Sequence, residues 1–187
     1  MQGADPPRPF SLPAVAASRQ LCSHGLSAMP LITAILHTCN DELRLGRALQ
    51  TLLPCDQILI IDHGSTDATL RIAREYAASI RIVTEQAPAD LLHLVRHDWV
   101  LVLQPCESVS EPLEAALFEW KFSPPSDLDG IPAFSIVVRE QTHAGWIALD
   151  PATRLVPRTW NRWDGLLPAN HLQAKVLLGE LLRFRQS

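Results

Sequence analysis

The chain has 187 residues, 47% of them hydrophobic and 19% charged, and a formal net charge of −4. That length supports one domain with a real core and is short for two. A weakly acidic chain whose only lysines are Lys121 and Lys175 offers no footing for nucleic acid, and no apolar run approaches the roughly 20 residues a membrane span needs.

Residues 1–29 carry Pro6, Pro7, Pro9 and Pro13 among alanines and serines, with no sustained period. This reads as a disordered extension ahead of a domain at 30–187, and Met29 offers a second start site. The four cysteines, Cys22, Cys39, Cys55 and Cys106, form no CxxC pair and no zinc-like spacing. They point to a reducing, cytoplasmic setting, with peripheral membrane contact left open and a transmembrane segment excluded.

A buried-looking strand at 31–36 runs into the polar tip His37-Thr38-Cys39-Asn40-Asp41-Glu42. Asn40 is placed to cap a helix whose apolar face is Leu43, Leu45, Ala48, Leu49, Leu52 and Leu53, ended by Pro54. A second strand, 57–62, breaks at His63-Gly64-Ser65-Thr66-Asp67, and Ser65 is placed to cap a helix with Leu70, Ile72, Ala73 and Ala77 inward. Further strands are expected at 80–84 and 99–103, with a short helix at 89–97 between them. Ser110-Glu111-Pro112 opens a helix to about Trp120, and 131–140 reads as another strand. From Thr142 onward short strands and turns are expected. Strands apolar on both faces and alternating with helices specify an α/β fold, a mainly parallel sheet covered on both sides.

Leu36–Glu42 and Ile60–Thr69 resemble the amino-terminal motifs of family 2 glycosyltransferases, "IPTYNEE" and "VVDDGSTDGT". The resemblance implies a GT-A-like (Rossmann-like) single domain that takes a nucleotide-sugar donor and transfers its sugar to a hydroxyl acceptor. Matched by position, Thr38, Cys39, Asp41 and Asp62 are the nucleotide-binding residues. The alternative from another class is a non-catalytic nucleotide- or glycan-binding domain, a pseudoenzyme that keeps the fold.

The resemblance departs from the family where the metal belongs. A "LDADE" motif normally follows the fourth strand, and here the positions read Leu103-Gln104-Pro105-Cys106-Glu107. Both aspartates are gone. Mn²⁺ and Mg²⁺ prefer oxygen ligands, so the divalent cation that the family implies lacks its usual carboxylates, and no metal ligand is assigned. Gln104 and Glu107 are left to line the donor phosphate region. The arginine-asparagine stretch of the donor pocket is replaced by Glu85–Leu92. Further on, Gly145-Trp146 and Arg154–Arg158 resemble the "GGWYPD…RLFRR" stretch of lipopolysaccharide-core-type members. Asp150 and Asp164 are the candidate catalytic bases, with His171 behind them, against a reading of all three as solvated loop residues. Arg154 and Arg158 are set either to meet an anion or to form surface ion pairs. His93 and His97 stand four apart, with a solvated helix face preferred over a shared metal.

Overall fold

The computed structural model describes residues 29–83 and 87–185, so the expected extension lies, apart from Met29, outside the described residues. The amino-terminal half runs β1 (Ile32–Thr38), α1 (Leu45–Gln50), β2 (Gln57–Asp62), α2 (Thr69–Glu75), β3 (Ser79–Ile82), α3 (Pro88–Leu91) with a 3₁₀ turn at Leu92–Leu94, and β4 (Trp99–Leu103). Then come β5 (Glu107–Val109), α4 (Glu111–Lys121), α5 (Pro125–Leu128), β6 (Phe134–Thr142), β7 (Gly145–Ala148), β8 (Ala152–Pro157), β9 (Trp163–Asp164), β10 (Leu167–Pro168) and β11 (Lys175–Arg183).

The main sheet has the order β3-β2-β1-β4-β8-β6-β11-β5, with β7 added on β6. Its first four strands are parallel, and β1 lies between β2 and β4 in the register Thr38↔Asp62 and Leu36↔Leu103. This is the parallel α/β half of the fold. Beyond β4 the pairing turns mostly antiparallel, through β8 and β6, with β6 and β11 the one parallel pair. The sheet is therefore mixed overall.

Alternation along the parallel strands sorts side chains onto two faces. Ile32, Ala34 and Leu36 of β1, Ile60 of β2 and Leu101 and Leu103 of β4 pack under α1, α2 and α4. Ile35, Leu59, Ile61, Val100 and Val102 face the other way, against Leu91 and Val95 at the ends of α3 and its 3₁₀ turn. Each such fully buried aliphatic side chain contributes about 1.5–3 kcal/mol. Trp120 of α4 packs edge-on to Trp99 and Phe134 and closes the larger core. Ser110 caps α4 by accepting from Leu113 N at 3.4 Å, with Pro112 in the first turn, as its sequence predicts. Among the described residues no helix is long and apolar enough to cross a membrane.

Several local expectations are corrected. α1 begins only at Leu45, after a turn closed by Arg44 N and Leu45 N on the carbonyl of Asp41. Asn40 is thus no helix cap; its backbone is left-handed (φ 57°), and its side chain reaches the β2 tip instead. With the helix so short, Leu43 and Leu53 are exposed. Ser65 is not the cap of α2, because its hydroxyl is turned toward Asp62 and α2 starts four residues later. Ala77 lies past the end of that helix, exposed, at φ 52°.

Candidate functional site

Two parallel strands that end side by side leave polar tips with many unpaired backbone groups, and here the motif side chains satisfy them across the gap. Thr38 Oγ1 donates to Asp62 Oδ1 at 3.1 Å, and the same oxygen accepts from the Ser65 hydroxyl. Asp62 Oδ2 accepts from Gly64 N (3.1 Å) and Ser65 N (2.9 Å). Gly64 sits at φ 87°, where a side chain would be strained. Asn40 N donates to Ser65 Oγ at 2.9 Å, while Asn40 Oδ1 accepts from Thr66 N at 2.8 Å. Glu42 Oε2 accepts from Ala68 N, and Asp67 accepts from Glu42 N and Thr69 N. The polar residues of the two motifs latch one strand tip to the other.

This latch sets the charge state of Asp62. Burial pushes its carboxyl upward, but the hydrogen bonds from Ser65, Thr38 and Gly64 outweigh that, and the group lies below the ordinary aspartate range. Asp62 and Thr38 are both fully buried. Ser65 and Asp67 build a tight turn at the β2 tip, and Asp62 shares the role.

Beside the latch, between the β1 and β4 tips, lies an open cleft of about 230 Å³ lined by His37, Asp41, Arg44, Gln104, Cys106 and the hairpin residues Leu166 and Leu167, among others. Asp41 is held at both oxygens, one accepting from Cys39 N at 2.9 Å and the other paired with Arg44. His37 stacks on His63, with Nδ1 and Nε2 3.0 Å apart. Burial first, and the charge of His63 second, lower the His37 pKa to about 4.

Of the residues carried over from the resemblance, Asp41 and Gln104 line this cleft. Cys39 is exposed at the β1 tip, its thiol 3.7 Å from the carbonyl of His63. Glu107 is placed differently from its expected role on the phosphate wall. Its side chain is fully buried, accepting from Gln104 N (2.9 Å), Arg154 Nη2 (3.1 Å) and Arg183 Nη2 (2.8 Å). The turn 104–107 carries it inward, and two arginines compensate its charge. Arg154 is likewise buried, so it forms neither a surface pair nor an open anion contact.

Asp150 is exposed on the turn between β7 and β8. Asp164 is exposed on the β9–β10 hairpin, whose Leu166 and Leu167 reach the cleft. His171 accepts from Gln173 N and lies edge-on to Trp160. His93 Nδ1 meets the carbonyl of Asp90, and His97 Nδ1 meets the hydroxyl of Thr33, so the two serve different partners.

A hard divalent ion does not fit the β4 tip. Gln104 offers no charge, Glu107 is spent in the core, and burial, with the Glu107 charge, keeps the Cys106 thiol above its ordinary range and so protonated. Sulfur is in any case a poor ligand for a hard divalent ion, which prefers oxygen. Among the described residues, no group of three or more His, Cys, Asp or Glu is placed to hold a metal ion.

Arg44, His37 and the Leu166–Leu167 hairpin belong to the site without having been singled out in the sequence. His37 stood inside the quoted motif, whereas an arginine three residues after an aspartate looks like an ordinary helix-surface pair.

No family model matches the chain. Over 93 residues it is 28% identical to an uncharacterized glycosyltransferase of Rickettsia typhi, covering 46% of this chain and 31% of that protein. Similar solved structures include a mannosyltransferase from Pyrobaculum calidifontis in complex with GDP-Man and Mn²⁺ (TM-score 0.46, 21% identical, 60% of this chain and 37% of that one). They also include S. aureus TarS (0.44, 17%, 60% and 21%) and Mycobacterium tuberculosis glucosyl-3-phosphoglycerate synthase in complex with Mn²⁺, UDP and glucosyl-3-phosphoglycerate (0.43, 19%, 59% and 43%). The chain resembles a glycosyltransferase, and it spans about a third of the curated relative's length.

Proposed function

We propose that this chain carries the donor-binding half of a glycosyltransferase, which transfers a sugar from a nucleotide-sugar donor to a hydroxyl acceptor. The observation that carries the reading is the parallel β2-β1-β4 arrangement, with an open cleft at its carboxyl edge fed by separate chain segments. Ligands of open α/β sheets bind at that edge. In the reaction the acceptor oxygen bonds to the anomeric carbon as the bond from that carbon to the diphosphate oxygen breaks. The bonding pair leaves with the diphosphate, and the acceptor proton passes to a carboxylate.

Asp62 and Thr38 serve this reading by shaping the strand-tip surface, with Cys39 and Asp41 beside it, and Gln104 offers an amide to the ribose. Asp164 is the better general base, since its hairpin borders the cleft, and Asp150 is the second. Glu107 acts through the turn it closes rather than by touching the donor.

Calorimetric titration with UDP-, GDP- and dTDP-sugars tests the reading. One of them is expected to bind and to be consumed when an acceptor is supplied. Binding without turnover would assign the chain to the non-catalytic alternative, and no binding would remove both.

A further inference from the structure

The cleft at the strand tips poses a charge problem. A nucleoside diphosphate brings at least two negative charges, and the β4 tip offers no hard-ion site to meet them. Arg44 lies where that charge would fall. Its side chain lines the cleft, an adjoining groove of about 550 Å³ that it shares with Arg47, Phe184 and Arg185, and the narrow slot beside Cys106.

We infer that the Arg44 guanidinium, seconded by Arg47, receives the diphosphate of a nucleotide ligand in place of a divalent ion. The inference rests on the proposed donor site. Asp41 grips one nitrogen of Arg44, and Asp41 is itself anchored by Cys39 N, so the planar fork is oriented before any ligand arrives. A guanidinium carries five N–H donors, and Asp41 is its only carboxylate partner among the described residues, so donors remain for two phosphate oxygens. An arginine keeps its charge at any physiological pH, which a metal-free diphosphate site requires.

Arg47 follows three residues later on the same side of the chain. Its guanidinium lies 4.1 Å over the Phe184 ring, and among the described residues it has no carboxylate partner. Its charge is thus held in place without being neutralised. The acids on this wall are otherwise engaged: Glu42 accepts from Ala68 N, and Asp67 from Glu42 N and Thr69 N. Three arginines, Arg44, Arg47 and Arg185, share the groove lining with these two carboxylates, and Arg47 is the one of the three with no carboxylate partner among the described residues. Cleft and groove together have the volume a nucleotide needs, roughly 300–1,000 Å³.

The test is titration of the full chain with UDP, GDP and dTDP in EDTA, and again with Mn²⁺. Binding in EDTA is expected, about 10- to 100-fold weaker in Arg44→Gln and partly restored in Arg44→Lys, which keeps the charge without the fork. Arg71→Gln, an exposed arginine of α2 paired with Glu75, is the control and should leave affinity unchanged. If Arg44→Gln fails to fold, Arg47→Gln takes its place, with a several-fold loss expected. Binding that appears only with Mn²⁺ overturns the inference and leaves the glycosyltransferase reading standing. So does unchanged affinity in the folded Arg44 or Arg47 variant. Absence of nucleotide binding under both conditions overturns the inference together with the reading beneath it.

Discussion

Arg154 and Glu107 meet 3.1 Å apart with almost no exposure on either side chain, a buried ion pair between β8 and β5. Arg183 completes the cluster from β11 at 2.8 Å. Removing the shared carboxylate leaves Arg154 uncompensated in the core and Arg183 with Glu140 alone, and Glu107→Gln should cost about 3 kcal/mol or more. Arg154→Met should cost less, because Glu107 keeps Arg183 and because Arg154 Nε and Nη1 have no hydrogen-bond partner to lose. Denaturant midpoints of the two variants check the order. Equal losses would mean that Arg183 does not carry the pair.

The Asp62 carboxylate serves four donors at once. Asp62→Ala strands two backbone N–H groups and two hydroxyls, and a loss of roughly 2–4 kcal/mol is expected. Because the folded state depresses this carboxyl, its contribution is present above the ordinary aspartate pKa and disappears as pH falls through the folded value. Chemical denaturation of the variant and the parent at pH 7 should show the deficit in full. A variant as stable as the parent would mean that the latch between the strand tips holds without it.

The turn at the β2 tip was readable in the sequence because its own contacts are short-range, whereas the bonds of Asn40, Glu42 and Asp67 across the tips span 25 or 26 residues and were not. Gly64, Ser65 and Asp67 are turn formers between an apolar strand and a helix, and such residues act within three or four positions of themselves. The parallel half of the sheet was readable for a similar reason, since its strands are apolar on both faces. Glu107 was not, because its partners lie 47 and 76 residues away and nothing local separates a core carboxylate from a cleft one. The α1 boundary failed because Leu43 and Leu53 fit a helical period that the chain abandons for turns at both ends. The antiparallel half rests on β6 and β11, whose bulge and long-range pairing leave little periodic trace.

That bulge gives the third prediction. Gly179 sits at φ 92°, and a Cβ there would lie 2.3 Å from the backbone nitrogen of Leu113 in α4. The contact is with backbone, which cannot swing aside as a side chain can. Gly179→Ala should therefore destabilise by about 3 kcal/mol through overpacking and left-handed strain together. The loss should appear as a lower denaturant midpoint at unchanged slope. A neutral result would show that α4 and β11 can separate without cost.

The His37–His63 pair yields a prediction about pH. With the two ring nitrogens 3.0 Å apart, one must donate and the other accept, which two neutral rings can do and two cations cannot. The folded state holds His37 near pKa 4, against an ordinary value of 6.5, so the unfolded chain binds the extra proton first. Stability from this group is complete above about pH 6.5, declines as pH falls toward 4, and is flat below that. The full span is on the order of 3 kcal/mol. It is separable from the Asp62 contribution, which is lost only at lower pH. Urea unfolding of the parent at pH 7, 5.5 and 4.5 should show the decline, and His37→Gln should flatten it. A slope that survives in His37→Gln would assign the proton to another group.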